Sequence, residues 1–295
     1  MAAPDAVQTL SAGFIGLGAM GAAMARNVAR AGLLSGVWNR TATKAAAMAD
    51  ELGVSHAPSP AALAGQCDVV LLCVSADRDV LSVVESLLPG LESGQVVVDL
   101  STVSRETAVA AASRVRASGA DFLDAPVTGG MEGARHATLA IMAGGEATTL
   151  ERVRPILAAM GTRIVHMGAT GMGQSAKAVN QAMCAGINEA VTEALAFSAG
   201  LGLDMDKVIE VVSGGAAGNW FLDKRGPAMT RGIFTPGFRI ALHHKDLQIC
   251  QAMAAELGMA LRLTGMAADH YRQLMTEGHG DEDISALYRL KRPKA

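Results

Sequence analysis

The period of the hydrophobic pattern changes once along the chain. Up to about residue 168, short continuous apolar runs alternate with stretches of helical spacing; beyond it only helical spacing recurs. The runs are Phe14-Ile15, Gly36-Val37-Trp38, Val69 to Val74, Val96 to Leu100 and Leu139 to Met142, and Arg163 to His166 adds a further strand. Residues that are apolar at successive positions leave no face for water, so these runs predict strands covered on both sides, in a mostly parallel sheet. Helices are predicted between them, one carrying Met24, Val28 and Ala31 and others near Val80 to Leu88, Arg105 to Ser118 and Ala147 to Met160. The second half predicts helices near Asp204 to Val212, Asn219 to Met229, Lys245 to Leu257 and Leu263 to Glu277.

Between the halves lies one long helix, from Gly171 to about Gly200, without an internal proline. At ~1.5 Å per residue it is ~40 Å long, enough to join two domains. Val179, Met183, Ile187, Val191 and Leu195 recur at steps of four, an apolar face that supports the helix. A second stripe, Lys177, Asn180, Gln181, Cys184 and Asn188, holds a single cation among neutral hydrogen-bonding groups. A solvated face normally carries several charges, so Lys177 is a candidate acid/base residue.

Phe14-Ile15-Gly16-Leu17-Gly18-Ala19-Met20-Gly21 matches G-x-G-x-x-G between a strand and a helix. In that setting Gly16 makes the tight turn, Gly18 lets backbone N–H groups approach a pyrophosphate, and Gly21 permits close helix–strand packing. The expected fold is therefore α/β: a Rossmann-type, mostly parallel sheet domain over residues 1–168 and an all-helical domain over residues 169–295, joined by the long helix through a hinge at Gly168 to Gly173. About 20 residues past the fingerprint, a carboxylate suits the ribose 2′-hydroxyl of NAD. This chain has Asn39-Arg40-Thr41 there, which removes the negative charge and adds donors suited to a 2′-phosphate, so NADP(H) is the expected cofactor.

Ligands of such sheets bind beyond the carboxyl ends of the strands, here Val74-Ser75, Asp99 to Thr102 and Asp124 to Gly130. Gly129 and Gly130 expose backbone N–H groups after the Thr128 hydroxyl, and with Ser101 they offer donors to a carboxylate. Lys245 and Asp246 are placed at the opening of a helix, where a lysine opposes the dipole and points to a ligand.

Composition narrows the classes. A chain of 295 residues, half of them hydrophobic, favours two domains, and its 3 % aromatic content favours close helix packing. The net charge of −3 and the lack of a basic run beyond Arg289 to Lys294 argue against nucleic acid. Cys67, Cys73, Cys184 and Cys250 lack C-x-x-C spacing and read as reduced residues of a cytoplasmic protein. His243 and His244 are adjacent, without metal-site spacing, so no metal is expected. No apolar run is long enough to span a membrane, and residues 1 to about 8 read as a loose leader.

Five motifs in order, Gly16 to Gly21, Asp99 to Thr102, Asp124 to Gly130, Gly171 to Gln181 and Lys245 to Leu247, resemble those of the β-hydroxyacid dehydrogenase family, over about Ala12 to Leu290. The resemblance implies that Lys177 is catalytic and that Ser101, Thr128, Gly129, Gly130 and Asn180 line the pocket of a small carboxylate substrate. It implies that Gly16, Leu17, Gly18, Ala19, Met20, Gly21, Asn39, Arg40, Thr41, Val74, Thr102 and Lys245 serve the cofactor, and that the helical domain supports homodimers or homotetramers. Gly214 to Gly218 and Gly237 to His243 look closest to the tartronate semialdehyde (2-hydroxy-3-oxopropionate) reductases. Thr128 stands where the family often has serine, Gln181 where it often has a second asparagine, and Trp220 differs from the subgroup. Competing readings are a 3-hydroxyisobutyrate dehydrogenase or glyoxylate/succinic semialdehyde reductase, an imine reductase, and a catalytically silent NADP(H)-binding sensor or scaffold. Lys177 argues against the last two.

Overall fold

The computed structural model describes residues 10–292; the leader expected over residues 1 to about 8 lies outside them. The chain divides into two compact units, the first ending at Lys177 and the second beginning at Ala178.

The first unit runs β1 (Ala12–Ile15), α1 (Ala19–Arg30), β2 (Leu34–Trp38), α2 (Ala42–Leu52), β3 (Ser55–His56), α3 (Pro60–Ala64), β4 (Val69–Leu72), α4 (Asp77–Leu87), β5 (Val96–Asp99), α5 (Arg105–Ala117), β6 (Asp121–Asp124), β7 (Val127–Thr128), α6 (Gly130–His136), β8 (Leu139–Gly144), α7 (Ala147–Ala158) and β9 (Gly161–Gly168). The strands form one nine-stranded sheet in the order β3-β2-β1-β4-β5-β6-β8-β7, with β9 beside β8. The six strands from β3 to β6 in this order are mutually parallel, and β8 runs antiparallel to β6 and β7.

Burial explains why the continuous runs read as strands. Phe14, Val69, Leu71, Val96 and Val98 pack into one core, while Ile15, Val70, Leu72 and Val97 pack into another on the opposite face. Successive side chains of a strand point to opposite faces, so only a sheet covered on both sides makes every position apolar. The short β3 and β7 escape the hydrophobic pattern. Both residues of β3 are exposed, and β7 is held by its pairing with β8 rather than by composition.

The long helix is α8 (Met172–Gly200), and the second unit continues with α9 (Met205–Ser213), α10 (Trp220–Thr230), α11 (Ile240–Glu256), α12 (Arg262–Thr276) and α13 (Tyr288–Lys291). Its core gathers Val191, Leu195, Phe221, Met229, Leu247, Tyr271 and Leu287.

The apolar stripe of α8 is divided in the structure, and one expectation, the helix start at Lys245, is corrected. The stripe Val179 to Leu195 is not one buried face, because Val179 and Met183 are each 63 % exposed while Val191 and Leu195 are buried. A step of four advances about 400° around a helix of 3.6 residues per turn, so such a stripe drifts about 40° per step and ends on another side. The polar stripe instead supplies buried groups: Gln181 bonds Asp246, and Asn188 donates to the Tyr271 hydroxyl (2.7 Å) and to Ile284 O (2.8 Å). Lys245 and Asp246 do not open a helix either. α11 begins at Ile240, because Glu282 O and Gly280 O accept from the N–H groups of Ile240 and Ala241. These partners are some 40 residues away and leave no local capping signal.

Candidate active site

The dinucleotide end is built by steric necessity. A Cβ on Gly16 would lie 2.1 Å from Cys73 O, and one on Gly21 would lie 1.9 Å from Gly16 O. These two glycines pack β1, the turn and α1 against one another. Gly18 differs, since a Cβ there meets nothing within 4 Å. It stands at the start of α1, where no side chain caps the first N–H groups of the helix. A glycine that packing does not require, beside uncapped donors, fits a pyrophosphate.

Asn39 Oδ1 accepts from Leu17 N (2.9 Å) and Asn39 Nδ2 donates to Thr41 O (3.2 Å), so this carboxamide braces the fingerprint turn. Beside it the Arg40 side chain is 87 % exposed, with Nη1 3.4 Å from Asp79 Oδ1. The guanidinium thus lies exposed beyond the end of β2, with no carboxylate at position 39. The residues present thus fit a nicotinamide dinucleotide.

Farther along the strand ends, Val74 N donates to Ser101 Oγ (2.9 Å), and Ser101 N donates to Asp99 Oδ1 (2.9 Å). Ser101 is buried, and its hydroxyl, accepting from Val74, keeps its own O–H to donate. Thr128 is half-buried, and Gly129 (φ 129°) and Gly130 (φ 63°) take backbone conformations that other residues rarely adopt. Lys177 is 7 % exposed, and its Nζ donates to Val127 O (2.9 Å), the carbonyl just before Thr128. The lysine singled out from a polar stripe therefore sits against the strand-end loop expected to take a carboxylate.

What holds α8 there was not legible. The buried carboxylate of Asp124 accepts from Gly171 N (2.7 Å) and Gln174 N (2.9 Å), capping a helix nearly 50 residues later in the chain. Burial raises its pKa above the ordinary carboxylate value, against the lowering effect of those backbone donors. Cβ atoms on Gly144 and Gly173 would fall 2.5 and 2.8 Å from the Asp124 carboxylate oxygens, so both glycines make room for it. Burial pushes the Cys67 and Cys73 thiols up to about 12, which leaves them inert rather than nucleophilic.

The second unit holds Asn180, Gln181 and Lys245. Asn180 Nδ2 donates to Gln181 Oε1 (2.8 Å), Gln181 Nε2 donates to Asp246 Oδ2 (2.6 Å), and Lys245 Nζ lies 2.9 Å from Asp246 Oδ1. Lys245 sits in the second turn of α11, anchored by its neighbouring carboxylate rather than opposing the helix dipole. Among the described residues no group of three His, Cys, Asp or Glu side chains is placed to hold a metal ion, and no helix is long and apolar enough to cross a membrane.

A glycine-braced turn at the carboxyl end of a parallel sheet, together with a buried helix lysine that meets the loop after β6 of the same sheet, defines a nicotinamide-dependent oxidoreductase acting on a CH–OH group. Residues 11–168 match the model of the NAD binding domain of 6-phosphogluconate dehydrogenase, and residues 171–291 that of the NAD-binding domain of NADP-dependent 3-hydroxyisobutyrate dehydrogenase. The chain belongs to the β-hydroxyacid dehydrogenase family. It is 36 % identical to the 2-hydroxy-3-oxopropionate reductase of Escherichia coli, over 93 % of this chain and 94 % of that protein. It is 37 % identical to a probable 3-hydroxyisobutyrate dehydrogenase-like protein of Arabidopsis thaliana, over 93 % and 83 %. Among solved structures, the 3-hydroxyisobutyrate dehydrogenase of Mycobacterium tuberculosis with L-serine superposes at a TM-score of 0.86 and 32 % identity, over 97 % of this chain and all of that one.

Proposed function

We propose that the enzyme reversibly interconverts a short 3-hydroxy acid and its semialdehyde acid with NADP(H), most like a 2-hydroxy-3-oxopropionate reductase, with Lys177 as general acid/base. The observation that carries this reading is the buried Lys177 ammonium, 2.9 Å from Val127 O at the mouth of the Thr128-Gly129-Gly130 loop. When bound, the nicotinamide supplies or accepts the hydride at the substrate carbon. In reduction, the Ser101 hydroxyl and the Thr128-Gly129-Gly130 donors hold the substrate carboxylate, fixing the carbonyl carbon for transfer. Lys177 hydrogen-bonds the carbonyl oxygen and gives it a proton as negative charge develops there. Water returns a proton to the lysine, and oxidation reverses each step. Asn180, three positions along the same helix, orients the substrate, and Thr102 and Lys245 serve the cofactor or substrate.

NADP(H) is favoured over NAD(H) by Asn39 and the exposed Arg40. A cytoplasmic homodimer or homotetramer fits the second unit, where Val179, Met183, Leu263 and Met266 are exposed and a Cβ on Gly186 of α8 would lie 3.7 Å from Leu263 Cδ1 of α12. A second reading, 3-hydroxyisobutyrate dehydrogenase, is favoured by the names of the Arabidopsis and Mycobacterium relatives.

The test is the initial rate of NADPH and NADH oxidation with two- to four-carbon aldehyde acids, including tartronate and methylmalonate semialdehydes. Fastest turnover of tartronate semialdehyde with NADPH is expected. Preference for methylmalonate semialdehyde selects the second reading, and no turnover across the series removes both.

A further inference from the structure

We infer that Gln174 is a positioning residue, which locks the Ser101–Val103 segment to the helix that carries Lys177 and so sets the spacing between the proton donor and the carboxylate-binding donors. The inference rests on the roles proposed for Lys177 and Ser101.

Gln174 is 1 % exposed and lies in the first turn of α8. Its carboxamide is used at both ends: Nε2 donates to Ser101 O (2.8 Å) and Oε1 accepts from Val103 N (3.2 Å). Those two backbone groups flank Thr102, between the end of β5 and the start of α5, where neither sheet nor helix supplies partners. A buried backbone N–H and C=O need partners, and here one side chain serves both. The main-chain N–H of the same residue donates to Asp124 Oδ2, so a single residue ties α8 to the ends of both β5 and β6. Lys177 follows three positions later, on the neighbouring side of the helix, and its Nζ meets Val127 O beyond β6. The loop of Ser101 and the loop of Thr128 are thereby registered on one turn of helix. A shift of ~1 Å in such a constellation costs as much as ~100-fold in rate, even when the altered residue never touches substrate.

Two substitutions separate positioning from mere packing. Gln174→Met keeps the volume and removes both side-chain bonds. Gln174→Glu puts a carboxylate where the Ser101 carbonyl needs a donor, but once protonated it again offers one donor and one acceptor. Burial raises a carboxyl pKa, so this protonation is moved upward from the ordinary carboxylate range. We expect Gln174→Met to lower kcat about tenfold or more with NADPH Kd within about threefold of wild type, and its kcat relative to wild type to stay flat with pH. We expect Gln174→Glu to be impaired about tenfold at pH 8 and to recover several-fold relative to wild type as pH falls.

Wild-type kcat in Gln174→Met, a flat pH ratio in Gln174→Glu, or NADPH affinity lost in parallel with kcat would each overturn the inference. Should Gln174→Met not fold, the pH series of Gln174→Glu decides alone. Lys177→Ala is measured beside them: retained turnover there removes the lysine's role itself, whereas lost turnover there with full turnover in Gln174→Met removes only the positioning role.

Discussion

Gly18 and Gly21 stand three residues apart in one motif, and the structure assigns them opposite jobs that alanine substitution separates. At Gly21 an added Cβ would lie 1.9 Å from Gly16 O and 3.2 Å from Phe14 Cε1. Gly16 cannot retreat, because its own Cβ position already lies 2.1 Å from Cys73 O. Relief therefore requires backbone movement of more than ~1 Å, at the upper end of the ~1–3 kcal/mol typical of overpacking. With ~2–4 °C lost per kcal/mol in a protein of this size, Gly21→Ala should lower the melting temperature by roughly 6–12 °C. Gly18 has φ −72° and ψ −172°, which alanine adopts, and open space beyond it. Gly18→Ala should therefore stay within about 0.5 kcal/mol of wild-type stability. The new methyl would occupy the approach to the uncapped N–H groups of α1, so NADPH Kd should rise at least about tenfold, equivalent to ~1.4 kcal/mol. Scanning calorimetry reads the first effect, following each transition separately because the chain has two units. Fluorescence titration of NADPH reads the second. Unchanged affinity in Gly18→Ala would refute the pyrophosphate assignment, and an unchanged melting temperature in Gly21→Ala would refute the packing argument.

Further outcomes follow from individual contacts. Lys177→Ala should cut kcat about 10²–10⁴-fold while NADPH affinity is nearly unchanged; steady-state rates and a binding titration check both halves. Arg40→Ser should raise the KM for NADPH about tenfold by removing a charge-assisted bond and leave NADH kinetics alone, whereas an equal effect on both cofactors sinks the 2′-phosphate argument. At Asp77 burial raises the carboxyl pKa, but the Ser104 N–H and the Thr107 hydroxyl outweigh it and hold the pKa below the ordinary 3.8. A lowered folded pKa stabilises above 3.8, and that contribution is lost as pH falls through the folded value. Asp77→Asn should therefore cost about 1 kcal/mol at pH 7, discounted for partial exposure, and the gap to wild type should close in urea melts below about pH 3.8. Asn188→Leu removes the donor to the buried Ile284 O and one of two partners of the Tyr271 hydroxyl, which keeps His243 Nδ1 at 3.1 Å, and should destabilise the second unit by about 1–3 kcal/mol in denaturant unfolding.

The polar stripe of α8 shows how far the sequence could be read. Lys177 stood out because a lone cation among amides is a poor solvent face, and the structure does bury it. The apolar stripe signalled the helix but not its burial, since Val179 and Met183 are exposed in the single chain. Steps of four do not stay on one side of a 29-residue helix. Lys245 was noticed for a helix-dipole conflict that vanishes once α11 begins at Ile240, yet it remains beside a buried carboxylate that bonds Gln181. Asp124 gave no sign within the sequence that it caps α8. Gln174 drew no attention, because a glutamine in a helix has no local pattern that reveals two backbone partners more than 70 residues away.

What the sequence determined by itself was what repeats locally or is demanded by nearest neighbours. The doubly buried strands follow from continuous apolar runs, the dinucleotide turn from three glycines at set spacing, and the succession of helices from their 3.6-residue period. Each of these patterns is imposed within a few residues, so a single chain displays it. The tertiary structure alone decided the antiparallel insertion of β8, the early start of α11 on the carbonyls of Gly280 and Glu282, and the anchoring of α8 by Asp124 and Gln174. These depend on backbone groups left unsatisfied at the ends of elements, and their partners come from wherever the fold brings a donor or acceptor within about 3 Å. Sequence distance carries no trace of that choice.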